Sequence, residues 1–163
     1  MVTTTARGAA VIERVRAIVL TPGNTILVIK RTRPGEAPYC VLPGGHLDET
    51  DNSLEDALRR ELREELAGDA TILRLVDVIY RETERQYFYL ATMDTWSFAD
   101  RTGPEFSEPG RGSYELEEIS SRPEAVAAIA LKPDEIAVFL ASALSSPGGL
   151  AALPDLREWG RAQ

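Results

Sequence analysis

The 163-residue chain has one cysteine, one histidine, and fewer basic residues than acidic ones, 18 against 26. Each shortage removes a class of explanation. With Cys40 alone, no disulfide can form within the chain, which suits a reducing compartment. Cys40 follows Tyr39 and precedes Val41-Leu42, so it reads as a packed strand thiol and not as a nucleophile. His46 follows Gly45 with no Ser or Cys nucleophile pattern beside it, and reads as a loop residue. A net charge of −8 leaves no broad basic footprint, which argues against nucleic acid and anionic membrane as partners. No apolar run approaches membrane-spanning length, and the opening MVTTTARGAA lacks the apolar core of a signal peptide. The expected location is cytoplasmic.

Hydrophobic and charged fractions of 44% and 27% are those of an ordinary soluble globular protein, and the length suits one domain over 1–163. Residues 1–10 are expected to be flexible and 145–163 to form a tail. Val11–Thr21 and Thr25–Lys30 read as two strands of a hairpin around Pro22-Gly23-Asn24. A basic loop, KRTRPGEAPY, leads to a short strand Tyr39–Leu42, and then to Pro43-Gly44-Gly45 and a polar loop 46–52. Thr71–Glu82 and Gln86–Thr95 read as an antiparallel hairpin, and Tyr114–Ile119 as a further strand. A short helix is expected after Pro123. Beyond Pro133, the stripe Ile136, Phe139, Leu140, Ala143 and Leu144 predicts a core-packed helix. The tail is expected to dock through Leu153, Leu156 and Trp159, or to serve a dimer contact.

Residues 59–68, RRELREELAG, raise the functional question. Ser53 can cap a helix over Leu54–Leu66 whose apolar face is Leu54, Ala57, Leu58 and Leu62. Glu61 and Glu65 fall at the edge of that face, and Glu64 lies further round. Like charges at i and i+4 cost a few tenths of a kcal/mol. Carboxylates in the last turn also oppose the helix dipole. Taken alone, the run fits a solvated Glu/Arg surface helix. A small divalent cation is the other remedy for such crowding, since Mg²⁺ takes a few carboxylates together with substrate phosphates.

The preceding residues shift the balance. Arg60-Glu61-Leu62-Arg63-Glu64-Glu65, after Leu42-Pro43-Gly44-Gly45 and a helix start, resembles the Nudix box, G-x5-E-x7-R-E-U-x-E-E-x-G-U. The core R-E-U-x-E-E matches without exception. Two departures lie at its ends. One extra residue separates Gly45 from Arg60, so Asp51 stands at the right distance from Gly45 and Asn52 at the right distance from Arg60. Ala67 takes the closing glycine's place, with Gly68 one residue late.

The resemblance implies a Nudix-type α/β/α sandwich with a mixed, mostly antiparallel sheet. It also implies Mg²⁺- or Mn²⁺-dependent hydrolysis of a diphosphate bond in a nucleoside diphosphate linked to another group. By position, Glu61, Glu65 and the Gly44 carbonyl would hold metal. Glu64 would be a third ligand or the general base, and Arg60 would orient the acids by ion pairing. Glu105 is the first candidate for an additional carboxylate, ahead of Glu108 and Glu115. Arg31 and Arg33 are placed to reach phosphate oxygens, against plain solvation. Tyr39 is placed to stack on a base, against strand packing. The alternatives are a catalytically inactive Nudix-like nucleotide-binding module and a plain interaction domain. A homodimer stays open. No substrate-specific motif is recognised; no proline occurs between Gly45 and Gly103, where the ADP-ribose type places one.

Overall fold

The computed structural model describes residues 10–102 and 112–159. Their strands are β1 (Ile12–Leu20), β2 (Thr25–Thr32), β3 (Tyr39–Val41), β4 (Gly44–His46), β5 (Thr71–Tyr80), β6 (Glu84–Thr92), β7 (Ser113–Ser120) and β8 (Leu131–Lys132). The helices are α1 (Leu54–Leu66), α2 (Pro123–Ala127), α3 (Asp134–Ser145) and α4 (Leu156–Trp159). The strands form one mixed sheet in the order β5-β6-β1-β2-β3-β8, with β4 against β1 and β7 against β2. Among the described residues, no single helix is long and apolar enough to cross a membrane.

Strand alternation assigns the two faces. Val15, Ala17 and Val19 of β1, with Leu27, Tyr89 and Ala91, pack on Ala57, Leu58, Leu62 and Leu66 of α1. Ile18, Ile26, Val28, Phe88 and Leu90 point the other way, onto Ile136, Leu140 and Ala143 of α3. The result is the α/β/α sandwich implied by the box, and each fully buried Leu contributes about 1.5–3 kcal/mol. The stripe after Pro133 is thus core, as its spacing predicts. Leu153 and Leu156 of the tail pack on the two cores, while Trp159 stays exposed and does not dock. Arg157 fastens that tail: it bonds Asp155, reaches Glu55 of α1 at 3.2 Å, and donates to the Leu73 carbonyl at 2.8 Å.

Three local readings change. The β1–β2 pairing is brief, with partners Val19↔Leu27 and Leu20↔Ile26. Over its whole length β1 runs parallel to β6 instead. Residues 44–46, read as turn and loop, form β4 and pair with Arg14–Arg16 of β1. Between its contacts with β2 and with β4, the sheet splits. Finally, β2 continues through Thr32, which puts Arg31 on a strand and not in the basic loop.

The helix carrying the box begins and ends as its sequence dictates. The Ser53 hydroxyl accepts from the Asp56 N–H at 3.0 Å, completing the N-cap. At the other end, Ala67 sits in the left-handed region at φ 50°, where its N–H bonds the Arg63 carbonyl. That conformation costs an L-residue about 1–2 kcal/mol and suits glycine. The late glycine cannot move forward without loss, because a Cβ at Gly68 would lie 2.4 Å from the Thr95 carbonyl oxygen. Ala67→Gly should therefore stabilise the chain by about 1 kcal/mol in urea unfolding. A loss of stability would mean that the left-handed cap carries no strain.

Candidate active site

The split in the sheet opens into a cavity of about 460 Å3. Gly44, Arg60, Glu61, Glu64 and Glu65 line it, as do Arg14, Arg16, Arg31 and Tyr114. Glu61 and Glu65 are 8% and 5% exposed, so the acids at the helix edge are buried, as the helical wheel predicts. Glu64 is half-buried, with its side chain 30% exposed.

Arg60 organises the acids. Its Nε and Nη2 donate to the two Asp51 carboxylate oxygens, each at 2.9 Å. Nη1 reaches Glu61 at 3.1 Å and Glu64 at 3.4 Å. Nη2 also donates to the His46 carbonyl. Of the two residues at the ambiguous first-acid position, Asp51 is the one bonded to Arg60. Its side chain is 5% exposed, and bonding to Arg60 holds its pKa below the ordinary carboxylate range. Arg60 is correspondingly shifted up, chiefly by Asp51.

A second guanidinium comes from β1. Arg16 is partly buried, and its Nη1 donates to the carbonyls of Leu42 at 3.0 Å and Gly44 at 3.3 Å. Burial lowers its pKa, while Glu65 and Glu61 oppose that shift. The Gly44 N–H faces Glu65 at 3.4 Å. Contact requires glycine at Gly44 and makes Gly45 a close fit against Glu61. At Gly44, with φ 145°, a Cβ would lie 1.9 Å from the Val15 carbonyl oxygen, and at Gly45 it would lie 2.4 Å from the Glu61 carboxylate.

Glu61, Glu64 and Glu65 share the cavity with Gly44, and Arg60 and Arg16 stand beside them. The carboxylates and the Gly44 carbonyl form an all-oxygen donor set that fits one hard divalent cation. Among the described residues no three acidic, His or Cys side chains converge as a ready-made cage. Mg²⁺ does not require one, since it usually keeps waters and uses one or two carboxylates with substrate phosphates.

Other expected residues divide. Arg31 lines the cavity, with its guanidinium 4.7 Å over the Tyr114 ring and Nη2 donating to the Tyr114 hydroxyl at 2.7 Å. Tyr39 does not line it; it stands beside Arg31 in register, 5.9 Å from the guanidinium. Arg33 also lies outside the lining, in the turn after β2, where its carbonyl accepts from the Glu36 N–H. Glu115 is exposed and pairs in register with Lys30, on the strand face opposite Tyr114. Glu105 and Glu108 lie outside the described residues. Arg14, Arg16 and Tyr114 were not singled out from sequence. The alternation in Arg14-Val15-Arg16-Ala17 puts both arginines on one strand face, but nothing in it says that this face borders a cleft.

A family comparison adds to this geometry. The NUDIX domain model matches residues 12–140. The chain belongs to the Nudix family. By class it is a Nudix pyrophosphohydrolase, in a family that generally uses divalent metal and acts on small nucleotide-like substrates. Similar folds occur in the ORF135 protein of E. coli, at 23% identity and TM-score 0.60, covering 87% of this chain and 96% of that one. A NUDIX hydrolase from Nitrosomonas europaea aligns at 16% identity and TM-score 0.62, over 88% and 96% of the two chains. An ADP-ribose pyrophosphatase from Streptococcus suis aligns at 18% and 0.56, over 83% and 92%. No curated protein sequence matches the chain.

The Asp51–Arg60 pair sets an acid dependence. A carboxylate with a depressed folded pKa stabilises the fold above its ordinary pKa, near 3.9, and loses that contribution as pH falls through its folded value. Asp51→Asn should cost about 1–3 kcal/mol at pH 7 and flatten the decline of stability below about pH 4. Chemical denaturation across pH reads both. Parallel curves for the two proteins would remove Asp51 from this role.

Proposed function

We propose that the chain hydrolyses a P–O–P bond in a nucleoside diphosphate linked to a second group, with Mg²⁺ or Mn²⁺ bound. The observation that carries this reading is the pair of buried acids, Glu61 and Glu65, on a cavity wall shared with Gly44 and Glu64 and faced with arginines. Glu61, Glu65 and the Gly44 carbonyl are the oxygen donors for the cation, with Glu64 a third. When bound, the cation neutralises phosphate charge and acidifies a coordinated water.

The protein's part is positioning and electrostatics. Asp51 holds Arg60, and Arg60 holds Glu61 and Glu64 at fixed separation. Arg16 fixes the Leu42–Gly44 backbone and so the direction of the Gly44 carbonyl. Glu64, the more exposed acid, can take the proton of the attacking water. Arg31 is aligned by Tyr114 to bind a phosphate oxygen. Neither Arg33 nor Tyr39 lines the cavity; Tyr39 keeps a supporting place beside Arg31. Glu105 remains the candidate for an additional acid. Retention of Glu64 favours turnover over a binding module, because holding a ligand does not require a further carboxylate beside two buried ones. A cytoplasmic place in nucleotide turnover suits a chain without a disulfide.

The test is a screen of nucleoside di- and triphosphates and their conjugates with Mg²⁺ or Mn²⁺, run beside Glu64→Gln and Glu65→Gln. The wild type should release product only with metal, and a substituted general base should lower kcat by about 10²–10⁴-fold. Equal release by all three proteins would sink the assignment.

A further inference from the structure

Arg14, Arg16 and Val41 also line a second, shallower cavity of about 300 Å3, completed by Glu84, Gln86, Lys132 and Pro133. The shared residues make it a continuation of the first, on the side of the sheet where α3 begins. Its polar groups have a definite inventory. Arg14 Nε donates to Glu84 Oε2 at 2.8 Å, and Gln86 Nε2 donates to Glu84 Oε1 at 2.6 Å. Both oxygens of the carboxylate are therefore engaged. The Arg14 fork is clamped by its Nε, and its two Nη groups keep four further donors. Lys132 gives one donor to Asp134 at 2.6 Å and keeps two, with its side chain half exposed. Against these stands the Gln86 amide oxygen as acceptor.

We infer that this second cavity is an anion subsite that takes a phosphomonoester-class group carried by the substrate beyond the diphosphate that is cleaved. It rests on the reading of the main site given above: the diphosphate lies beside α1, and the extra group reaches past Arg14 and Arg16. A clamped guanidinium and an ammonium lining one cavity are a donor-rich setting for a phosphate, which presents acceptors in a planar, bidentate match to arginine. A nucleobase fits less well. Val41 and Pro133 give it apolar contact but no ring to stack on, and the donors outnumber the acceptors. In an acidic chain, this small cavity is lined by three cationic side chains and one carboxylate, with Asp134 paired to Lys132 beside it.

Paired nucleotides that differ by one phosphomonoester test this on the full-length protein. NADPH and NADH are compared by nicotinamide fluorescence in EDTA, and coenzyme A and dephospho-coenzyme A by metal-dependent cleavage. The phosphorylated member should be favoured about tenfold, in Kd or in kcat/KM. Arg14→Gln and Lys132→Gln, made singly, should each remove most of that preference. The ratio within a pair cancels any general damage to the fold. Inorganic phosphate at millimolar levels should weaken NADPH binding and leave NADH unchanged if the subsite accepts the free ion; equal weakening would place the phosphate in the main site and overturn the inference. So would wild-type ratios near one, absence of binding in every pair, or ratios that survive both substitutions. Failure of all metal-dependent cleavage in the broader screen would instead overturn the proposed function, and cleavage without the phosphate preference would sink this inference alone.

Discussion

Four carboxylates must share the end of one helix and the loop before it, and everything else in the site follows from how they are held apart. Arg60 takes three of them at once: Asp51 through a two-pronged bond, Glu61 and Glu64 through a single Nη. Arg16 approaches from the sheet and opposes Glu65 and Glu61. Without these cations, desolvation of two acids on the edge of the core would cost several kcal/mol each. With them, the acids stay together on the wall of the cavity, an arrangement that suits the proposed cation and its phosphates.

The fold supplies the close approach that this requires. Leu58 and Leu62 seat α1 on β1, and the same register brings Glu61 and Glu65 against Gly44 and Gly45. A side chain at either glycine would collide, in one case with the β1 backbone and in the other with Glu61 itself. Because β4 replaces β2 beside Arg14–Arg16, β1 and β2 diverge, and the gap between them is the cavity. Core packing and site geometry are thus two consequences of the same strand arrangement.

The sequence disclosed what short-range periodicity and the box could carry. The burial of Glu61 and Glu65, the helix bounds at Leu54 and Leu66, and the core role of the α3 stripe all follow from spacing along one element. What it hid depends on distant pairing. The parallel run of β1 along β6 joins residues about seventy positions apart, and no local pattern announces it. Arg16 owes its place in the site to the pairing of β4 with β1, which no pattern within β1 announces. Arg33 and Glu115 carried the right charge, but β2 ends before the first and the β7 alternation turns the second away. Asp51 shows the middle case. The inserted residue leaves two candidates for one position, and the bond from Arg60 to Asp51 is a distant contact that spacing does not foretell.

If a divalent cation completes this charge set, its binding must be linked to folding, because the unfolded chain does not gather these oxygens. The direct measurement is the melting temperature of the full-length protein across a Mg²⁺ or Mn²⁺ titration, beside a Glu61→Gln/Glu65→Gln double variant. The wild-type Tm should climb with metal concentration, while the variant's stays level. Wild-type and variant curves that move together, or a wild-type Tm indifferent to either ion, would contradict a metal centre on this helix.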